Sequence, residues 1–198
     1  MRLLGEIVRL QVQTTSLKVG TPPRRRYDPA GIHSVAALSL TADGVRGWTE
    51  DGQPLDDVHN LTHSASKNRG GTNGISIGFD AHYDAMRARF GEHVANGIAG
   101  ENILVALADK SALYNEHDFL GGITIEAAHG QTIRLEQVFV AAPCAEFTRF
   151  ALRFPDDARP DRTVTEALQF LDDGMRGFYA AYHGPETRIA LGARVWLP

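Results

Sequence analysis

The feature that most constrains the fold of this chain is a set of short segments in which apolar and polar residues alternate. Such alternation is typical of half-buried β-strands, because successive side chains of a strand point to opposite faces. The segments cover residues 6–12, 34–40, 123–127, 132–142, 176–182 and 193–197. In the fourth, the alternation changes phase between Leu135 and Val138, which predicts a β-bulge or a strong bend near Glu136. Short strands over the whole chain, with few helices between them, favour a mainly β fold: a closed or nearly closed β-barrel with a few flanking helices.

Two segments carry the apolar spacing of amphipathic helices. The first stripe spans residues 79–90, and Gly91 is placed to end that helix. The second spans residues 164–175, and Thr163 with Glu166 predicts a capping box at its start. We interpret both stripes as packing surfaces and not as ligand sites.

Length and composition argue against several classes of protein. A chain of 198 residues is expected to form one domain, residues 1–198. Its 20 Lys and Arg against 24 Asp and Glu give a formal charge of −4, so nucleic acid is not expected as a partner. No apolar run approaches the roughly 20 residues needed to cross a bilayer, so no membrane contact is expected. Glu6 and Arg9 interrupt the apolar core that a signal peptide would need, and one cysteine cannot form an intramolecular disulfide. These features favour a cytoplasmic location.

Two stretches lack periodicity. Residues 18–31 are rich in Pro and Arg, and residues 48–74 are polar and glycine-rich. Loops of this length in a compact domain are often functional, and disorder is the alternative.

Three short motifs match catalytic or metal-binding signatures only in part. Residues 74–78 satisfy G-x-S-x-G, but the segment before Ser76 is polar and turn-forming where a hydrolase needs a buried strand. Residues 64–67 match S-x-x-K without the partner motifs of β-lactamases. His59 and His63 lie four residues apart without the glutamate of a zinc protease, and we interpret them as surface histidines. A Ser76 hydrolase therefore serves only as a control hypothesis, and a single cysteine excludes thiolate-rich zinc sites.

The segment from residue 67 to residue 74 combines cations, glycines and hydrogen-bond donors. The candidate binding residues in it are Lys67, Asn68, Arg69, Thr72 and Asn73. Such a segment can curl backbone N–H groups around an anion, which predicts phosphate binding. It is not a Walker A loop, because its lysine precedes the glycines. The alternative is an exposed hairpin loop.

Cys144 is the only cysteine, and it follows Pro143 directly where an apolar run ends. A free cysteine is most often a small buried hydrophobe, and that alternative stays open. If residues 145–154 begin a helix, the positive end of the helix dipole would favour a thiolate. A thiolate is what a soft metal or a sulfur-transfer reaction requires.

Four segments occur in the order and at about the spacing found in the MOSC domain family, which is named for the C-terminal domain of molybdenum cofactor sulfurases. They are residues 76–91, 97–105, 138–147 and 176–197, with Gly-Glu-Asn at 100–102 and Pro-Cys at 143–144. The resemblance covers nearly the whole chain, including residues 5–12 and 39–47. It implies a β-barrel in which Cys144 binds the molybdenum of a pterin cofactor or carries sulfur destined for it.

The resemblance also implies that basic and polar loop residues hold the anionic part of the cofactor. The matching candidates are Lys67, Asn68, Arg69, Thr72 and Asn73, while Asn102 is similar to a polar residue near the metal. One departure concerns the near wall of the site. Many members have Gly-Asp and a nearby His-Gly after residues 44–47, whereas this chain has a polar insertion from Trp48 to about Ser66.

Three functions are compatible with a lone thiolate and a basic glycine-rich loop. The first is a molybdenum cofactor (molybdopterin) enzyme with Cys144 as metal ligand, which reduces small N-hydroxylated or N-oxygenated compounds. It would take electrons from a redox partner, since the chain lacks flavin, iron–sulfur and dinucleotide motifs. The second is a sulfur carrier with a persulfide on Cys144, served by a cysteine-desulfurase-type donor. The third is a module that binds the cofactor without turnover.

Overall fold

The structure is a computed structural model that describes residues 1–22, 24–68, 70–127, 130–155 and 158–198. The strands are β1 (Arg2–Gln13), β2 (Lys18–Val19), β3 (Arg26–Tyr27), β4 (Ile32–Ser34), β5 (Ala37–Thr41), β6 (Gly44–Trp48), β7 (Pro54–Asp56), β8 (Ile75–Phe79), β9 (Ile103–Leu107), β10 (Ile123–Glu126), β11 (Thr132–Val140), β12 (Phe178–Ala181), β13 (Thr187–Ala190) and β14 (Arg194–Leu197). The α-helices are α1 (Asp80–Phe90), α2 (Ala145–Leu152) and α3 (Arg162–Leu171), and short 3-10 turns cover Pro29–Gly31 and Glu116–Phe119. Within the described ranges, no helix has the length and apolar character needed to span a bilayer.

Seven strands close into a barrel. Their order is β1-β14-β10-β11-β12-β8-β9, and β9 pairs with β1 again, so the ring has no open edge. Every pair in the ring is antiparallel except β8 with β9, which is parallel. Strand β4 pairs with the far end of β1, outside the ring. The predicted mainly β fold with a closed barrel is confirmed.

Apolar side chains fill the barrel and a second layer beside it. At the centre of the barrel Phe79, Phe119 and Phe178 pack against one another, with ring centroids 4.8 to 5.9 Å apart. A second buried cluster joins the three helices and contains Tyr83 and Phe147. The barrel is therefore a packed core that can support a site at its rim.

A four-stranded sheet, ordered β13-β5-β6-β7, packs against β1. The two sheets meet closely at Gly47, where an added Cβ would come within 2.9 Å of the Val12 side chain. Only a residue without a side chain fits this approach. The packing brings the chain after β7, residues 57–60, to the end of β1.

The predicted bulge is present in β11. The pairing of β11 with β12 shifts between Glu136 and Phe139, and Gln137 between them has a φ of 51°. The extra residue changes which side chains face the core. Beyond the bulge, Phe139 and Val140 are half-buried and line a cleft at the barrel end.

Both predicted helices are present, and α3 is shorter than its apolar stripe. Helix α1 ends at Gly91, which has a φ of 104°, as predicted. Helix α3 ends at Leu171, so Met175 of the predicted stripe lies beyond it. The chain leaves α3 through Asp173 and Gly174, which both have positive φ.

The predicted capping box at α3 is wrong. The helix begins after Asp161, whose carboxylate accepts hydrogen bonds from the backbone N–H of Thr163 (2.9 Å) and of Val164 (3.2 Å). Asp is among the strongest N-cap residues, and here it precedes the threonine that the sequence pattern favoured. Glu166 accepts a hydrogen bond from Arg162, one turn earlier, instead of capping the helix.

The two stretches without periodicity contain regular structure. Residues 18–31 form the ribbon β2–β3 and a 3-10 turn, and residues 48–74 include β7. The region interpreted as a polar insertion also holds a buried segment at residues 57–60. The alternative of disorder is wrong for the described parts of both stretches, which exclude Pro23 and Arg69.

Candidate functional site

A cleft of about 810 Å³ opens where β1 and β11 end and β12 begins. It is lined by the predicted site residues Cys144, Lys67, Asn68, Thr72 and Asn73. The predicted site residue Arg69 lies outside the described residues. The fold therefore brings the cysteine and the glycine-rich loop, which are far apart in the chain, to one cavity.

Cys144 stands at the corner between β11 and α2. It is the N-cap residue of α2 with extended backbone (φ −123°, ψ 152°), and its carbonyl accepts hydrogen bonds from the backbone N–H and the hydroxyl of Thr148. The side chain is partly exposed and lines the cleft. The helix predicted after Cys144 is present, and the alternative of a thiol sealed in the core is wrong.

Arg176 is a cleft residue that the sequence analysis did not select. Its guanidinium lies over the ring of Phe147, 5.5 Å from the centroid, and donates to the carbonyl of Ala99 (3.2 Å). Burial by itself would lower the pKa of Arg176, but the nearby groups Tyr179, Cys144 and Tyr27 raise it above its usual range. A fixed positive charge therefore lies close to Cys144, where it favours a bound anion.

Three cations come together near the glycine-rich loop. Lys67 donates to the hydroxyl of Ser16, and its pKa is lowered by burial and by the charges of Lys18 and Arg25. Lys18 and Arg25 also contact the Glu146 carboxylate, at 3.7 and 2.5 Å. Mutual repulsion among cations is relieved when an anion binds between them. Lys18 and Arg25 were also not selected from the sequence.

The glycine-rich loop is curled, as an anion-binding segment would be. Gly70 and Gly71 have φ values of 68° and 84°, which favour glycine. The side chain of Asn68 accepts from the Gly71 N–H (3.1 Å), and the side chain of Asn73 donates to the carbonyl of Lys67 (3.3 Å). The loop thus faces the cleft in a defined conformation.

Comparison with known proteins identifies the family and the fold. The family model of the MOSC domain matches residues 68–196. This chain belongs to the MOSC domain family. Among solved structures, the YuaD protein from Bacillus subtilis has a TM-score of 0.61 at 13% identity, covering 98% of this chain and 96% of its own. YiiM from Geobacillus stearothermophilus has a TM-score of 0.53 at 18% identity, covering 98% and 74%. At such identities the likeness concerns the fold, and no curated protein matches the sequence.

In this MOSC domain Asn102 lies behind the cleft wall and not on it. Its side chain is 1% exposed. Its carbonyl oxygen accepts from the N–H (3.0 Å) and the hydroxyl (2.9 Å) of Ser76, and its amide donates to the Gln11 carbonyl (3.2 Å) and to Asp57 Oδ2 (2.8 Å). Asn102 is therefore placed to position Asp57.

Asp57 and His59 form a pair at the cleft wall. His59 Nδ1 lies 3.1 Å from Asp57 Oδ1, and the His59 ring lies 6.0 Å from the ring of Tyr179. His59 is 9% exposed and lines the cleft, so its interpretation as a surface histidine is wrong. Its predicted companion His63 does not line the cleft. The physical reason is the close packing of β6 and β7 on β1, which buries residues 57–60.

Ser76 is not placed as a nucleophile. It lies inside β8 and not on a strand-to-helix turn, and its hydroxyl is committed to Asn102. The geometry that activates a serine in a hydrolase is therefore absent here.

Glu101 is a buried acid next to the cleft. Burial raises its pKa to about 7, although the Tyr83 hydroxyl donates to it (2.8 Å) and Arg176 and Arg9 oppose the shift. Its other oxygen has no hydrogen-bond partner among the described groups, and Glu101 lines a cavity of about 10 Å³ together with Arg176 and Tyr179. A buried carboxyl with this pKa can be protonated or ionised near neutral pH.

Proposed function

We propose that this MOSC protein binds the molybdenum cofactor in the cleft, with Cys144 as the protein ligand of the metal. We further propose that it reduces small N-hydroxylated or N-oxygenated compounds with electrons from a redox partner. The observation that carries the proposal is that one cleft contains both the lone thiol and the cations Lys67, Lys18 and Arg25.

The chemistry of the donor groups fits this cofactor. Among the described residues, no cluster of three or more His, Cys, Asp or Glu side chains is arranged to hold a metal ion. A metal that brings its own sulfur ligands needs only one further soft donor, which Cys144 can supply. The phosphate of the cofactor needs cations and amide donors. The cleft volume of about 810 Å³ also falls within the roughly 300–1,000 Å³ of small-molecule sites.

In this proposal the cysteine and the cations of the cleft have defined roles. Cys144 would hold the metal, and the Arg176 guanidinium would stabilise negative charge beside it. Lys67 and the donors of its loop would bind the phosphate, with Lys18 and Arg25 adding positive charge. When bound, the cofactor would supply two-electron chemistry at an open position on the metal.

The test is metal and pterin analysis of protein made in a host that synthesises molybdopterin. We expect molybdenum in the wild type and none in Cys144→Ala, with turnover of a hydroxylamine and an artificial electron donor. Ser76→Ala should still bind the metal, because Ser76 lies outside the cleft. Molybdenum without turnover would support the binding module instead. An intact mass increased by one sulfur on Cys144, without metal, would support the sulfur carrier.

A further inference from the structure

We propose that His59 is the proton donor of the cleft and that Asp57 orients its ring so that Nε2 is the nitrogen that gives and regains the proton. The proposal rests on the proposed function, because it assigns the residue that protonates the oxygen leaving the substrate. It starts from a juxtaposition in the fold: an imidazole on the cleft wall backed by a fully buried carboxylate.

Hydrogen bonds hold both carboxylate oxygens of Asp57 in place. Oδ2 accepts from the backbone N–H of Gln13 (2.7 Å) and from the side-chain amide of Asn102 (2.8 Å). Oδ1 accepts from the backbone N–H of His59 (2.8 Å). Carboxylate oxygens only accept hydrogen bonds, so we infer that Nδ1 of His59 donates in the 3.1 Å contact with Oδ1.

Because Nδ1 contacts Asp57, we infer that Nε2 is the ring nitrogen that exchanges a proton with a ligand in the cleft. Within the described ranges, no protein group hydrogen-bonds to Nε2. The ring orientation is fixed, because Asp57 is bound to Asn102 and Asn102 to Ser76 of β8. Such an orienting carboxylate, anchored in turn to the frame, is what distinguishes a proton-transfer histidine from an incidental one.

The other groups of the cleft are less suited to this task. Among the residues that the structure describes, the other titratable or charged side chains that line the cleft are Lys18, Arg25, Tyr27, Lys67, Cys144, Arg176 and Tyr179. Lys67 contacts Ser16, and Arg25 contacts Glu146. Histidine is the side chain that ordinarily changes charge between about pH 5 and 8, so it can both give and regain a proton in each cycle.

The proposed step is balanced as follows. An N-hydroxylated substrate takes up two electrons and two protons and leaves as the amine and water. The His59 imidazolium gives its Nε2 proton to the hydroxyl oxygen as the N–O bond breaks. When bound, the cofactor would supply the two electrons delivered by the redox partner, and solvent would supply the second proton and reprotonate His59.

The first test compares His59→Asn with His63→Asn. The shorter amide side chain introduced by His59→Asn can still donate to Asp57 in place of Nδ1, so a purely structural role would be preserved while Nε2 is lost. We expect His59→Asn to bind as much molybdenum as the wild type and to lose about 10²–10⁴-fold in turnover. His63→Asn, outside the cleft, should keep both.

Turnover of His59→Asn within about threefold of the wild type, at full metal content, would overturn the proton-donor role. Loss of metal in His59→Asn would make His59 a binding residue and would also overturn it. Absence of molybdenum from the wild type would instead overturn the proposed function, and the two failures are therefore distinguishable.

A second readout needs no cofactor. Nitrogen-15 NMR of the protein without cofactor should show His59 with its proton on Nδ1 at the pH where the ring is neutral, identified by loss of the signal in His59→Asn. In Asp57→Asn this tautomer preference should weaken, since the amide no longer requires a donor. A wild-type proton on Nε2 at neutral charge would contradict the role assigned to Asp57.

Discussion

The cleft draws its residues from two regions of the chain that are built differently. We call Cys144, Arg176 and Tyr179 the barrel wall, since they stand on or next to β11, β12 and the first turn of α2. The loop wall consists of Lys18, Arg25, His59 and Lys67, which lie on the β2–β3 ribbon and in loops. The family model begins at residue 68, so it covers the barrel wall and the loop residues Asn68, Thr72 and Asn73 of the cleft, but none of the four residues of the loop wall.

This difference indicates which part of the cleft we expect to be common to the family and which part we expect to be particular to this protein. Side chains on regular elements of a packed core are held in place, whereas loops vary and carry specificity. We therefore expect the barrel wall to fix the metal end of a ligand. The loop wall should decide how firmly its anionic end is bound and how its reacting oxygen is protonated.

The first prediction concerns the barrel wall, where we expect the largest effect of a substitution. Cys144→Ser keeps the size of the side chain but removes the soft donor, so molybdenum content should fall by more than the about 10–100-fold typical of lost supporting contacts. Metal analysis after gel filtration measures this. If Cys144→Ser keeps full molybdenum content, the assignment of Cys144 as ligand fails.

The second prediction concerns Glu101 behind the barrel wall. Because burial raises its pKa from 4.5 to about 7, the folded protein binds a proton that the unfolded chain releases. This contribution to stability is fully present below about pH 4.5 and is lost as the pH rises through about 7. Between about pH 5 and 8 the wild type should therefore lose up to about 3 kcal/mol of unfolding free energy relative to Glu101→Gln.

Urea unfolding at both pH values checks the Glu101 prediction in protein without cofactor. Exposed Glu116 offers the matched control, and Glu116→Gln should follow the wild-type dependence on pH. Parallel curves for the wild type and Glu101→Gln would show that Glu101 is ionised throughout.

The third prediction concerns a substitution in the loop wall. Lys67→Gln should reduce cofactor affinity by about 10–100-fold, the cost of one hydrogen bond to a charged group. Lys110, which pairs with Asp80 away from the cleft, is the matched control, and Lys110→Gln should leave the affinity unchanged. Cofactor binding should also be measured at two salt concentrations. The loss of affinity in Lys67→Gln should be smaller at the higher salt concentration, because the charges are more strongly screened there. Equal losses in both lysine variants would contradict a specific anion site.

The fourth prediction has the smallest expected effect. It tests whether the barrel wall depends on α3, which packs against α2. Asp161→Ala removes the N-cap of α3 and should cost about 0.5–2 kcal/mol of stability without changing metal content. Thr163→Ala, at the position wrongly predicted to cap the helix, should change stability by less than about 0.5 kcal/mol. Chemical denaturation ranks the two variants, and the reverse order would restore the capping box.

Local patterns predicted much of the fold and the barrel wall. The alternating segments and the phase slip near Glu136 are properties of neighbouring residues, and they appear as strands and as the bulge of β11. The start of α3 was missed because Asp161 and Thr163 are both good caps, and only the hydrogen bonds distinguish them. His59 was missed because the polar residues around it conceal a buried segment.

The order of adjacent residues was enough to predict the six alternating segments, the two amphipathic helices and a cysteine at a stiff corner. Strands β8 and β9, which complete the ring, were not among those segments. The closure of the ring is visible only in the folded structure. The same is true of the proximity of Cys144 to Lys18, Arg25, Asp57, His59 and Arg176. Those side chains are far apart in the chain, and their proximity arises when β1 pairs with both β9 and β14 and the second sheet packs against it. Burial and charge at the cleft follow from that packing, which no local pattern encodes.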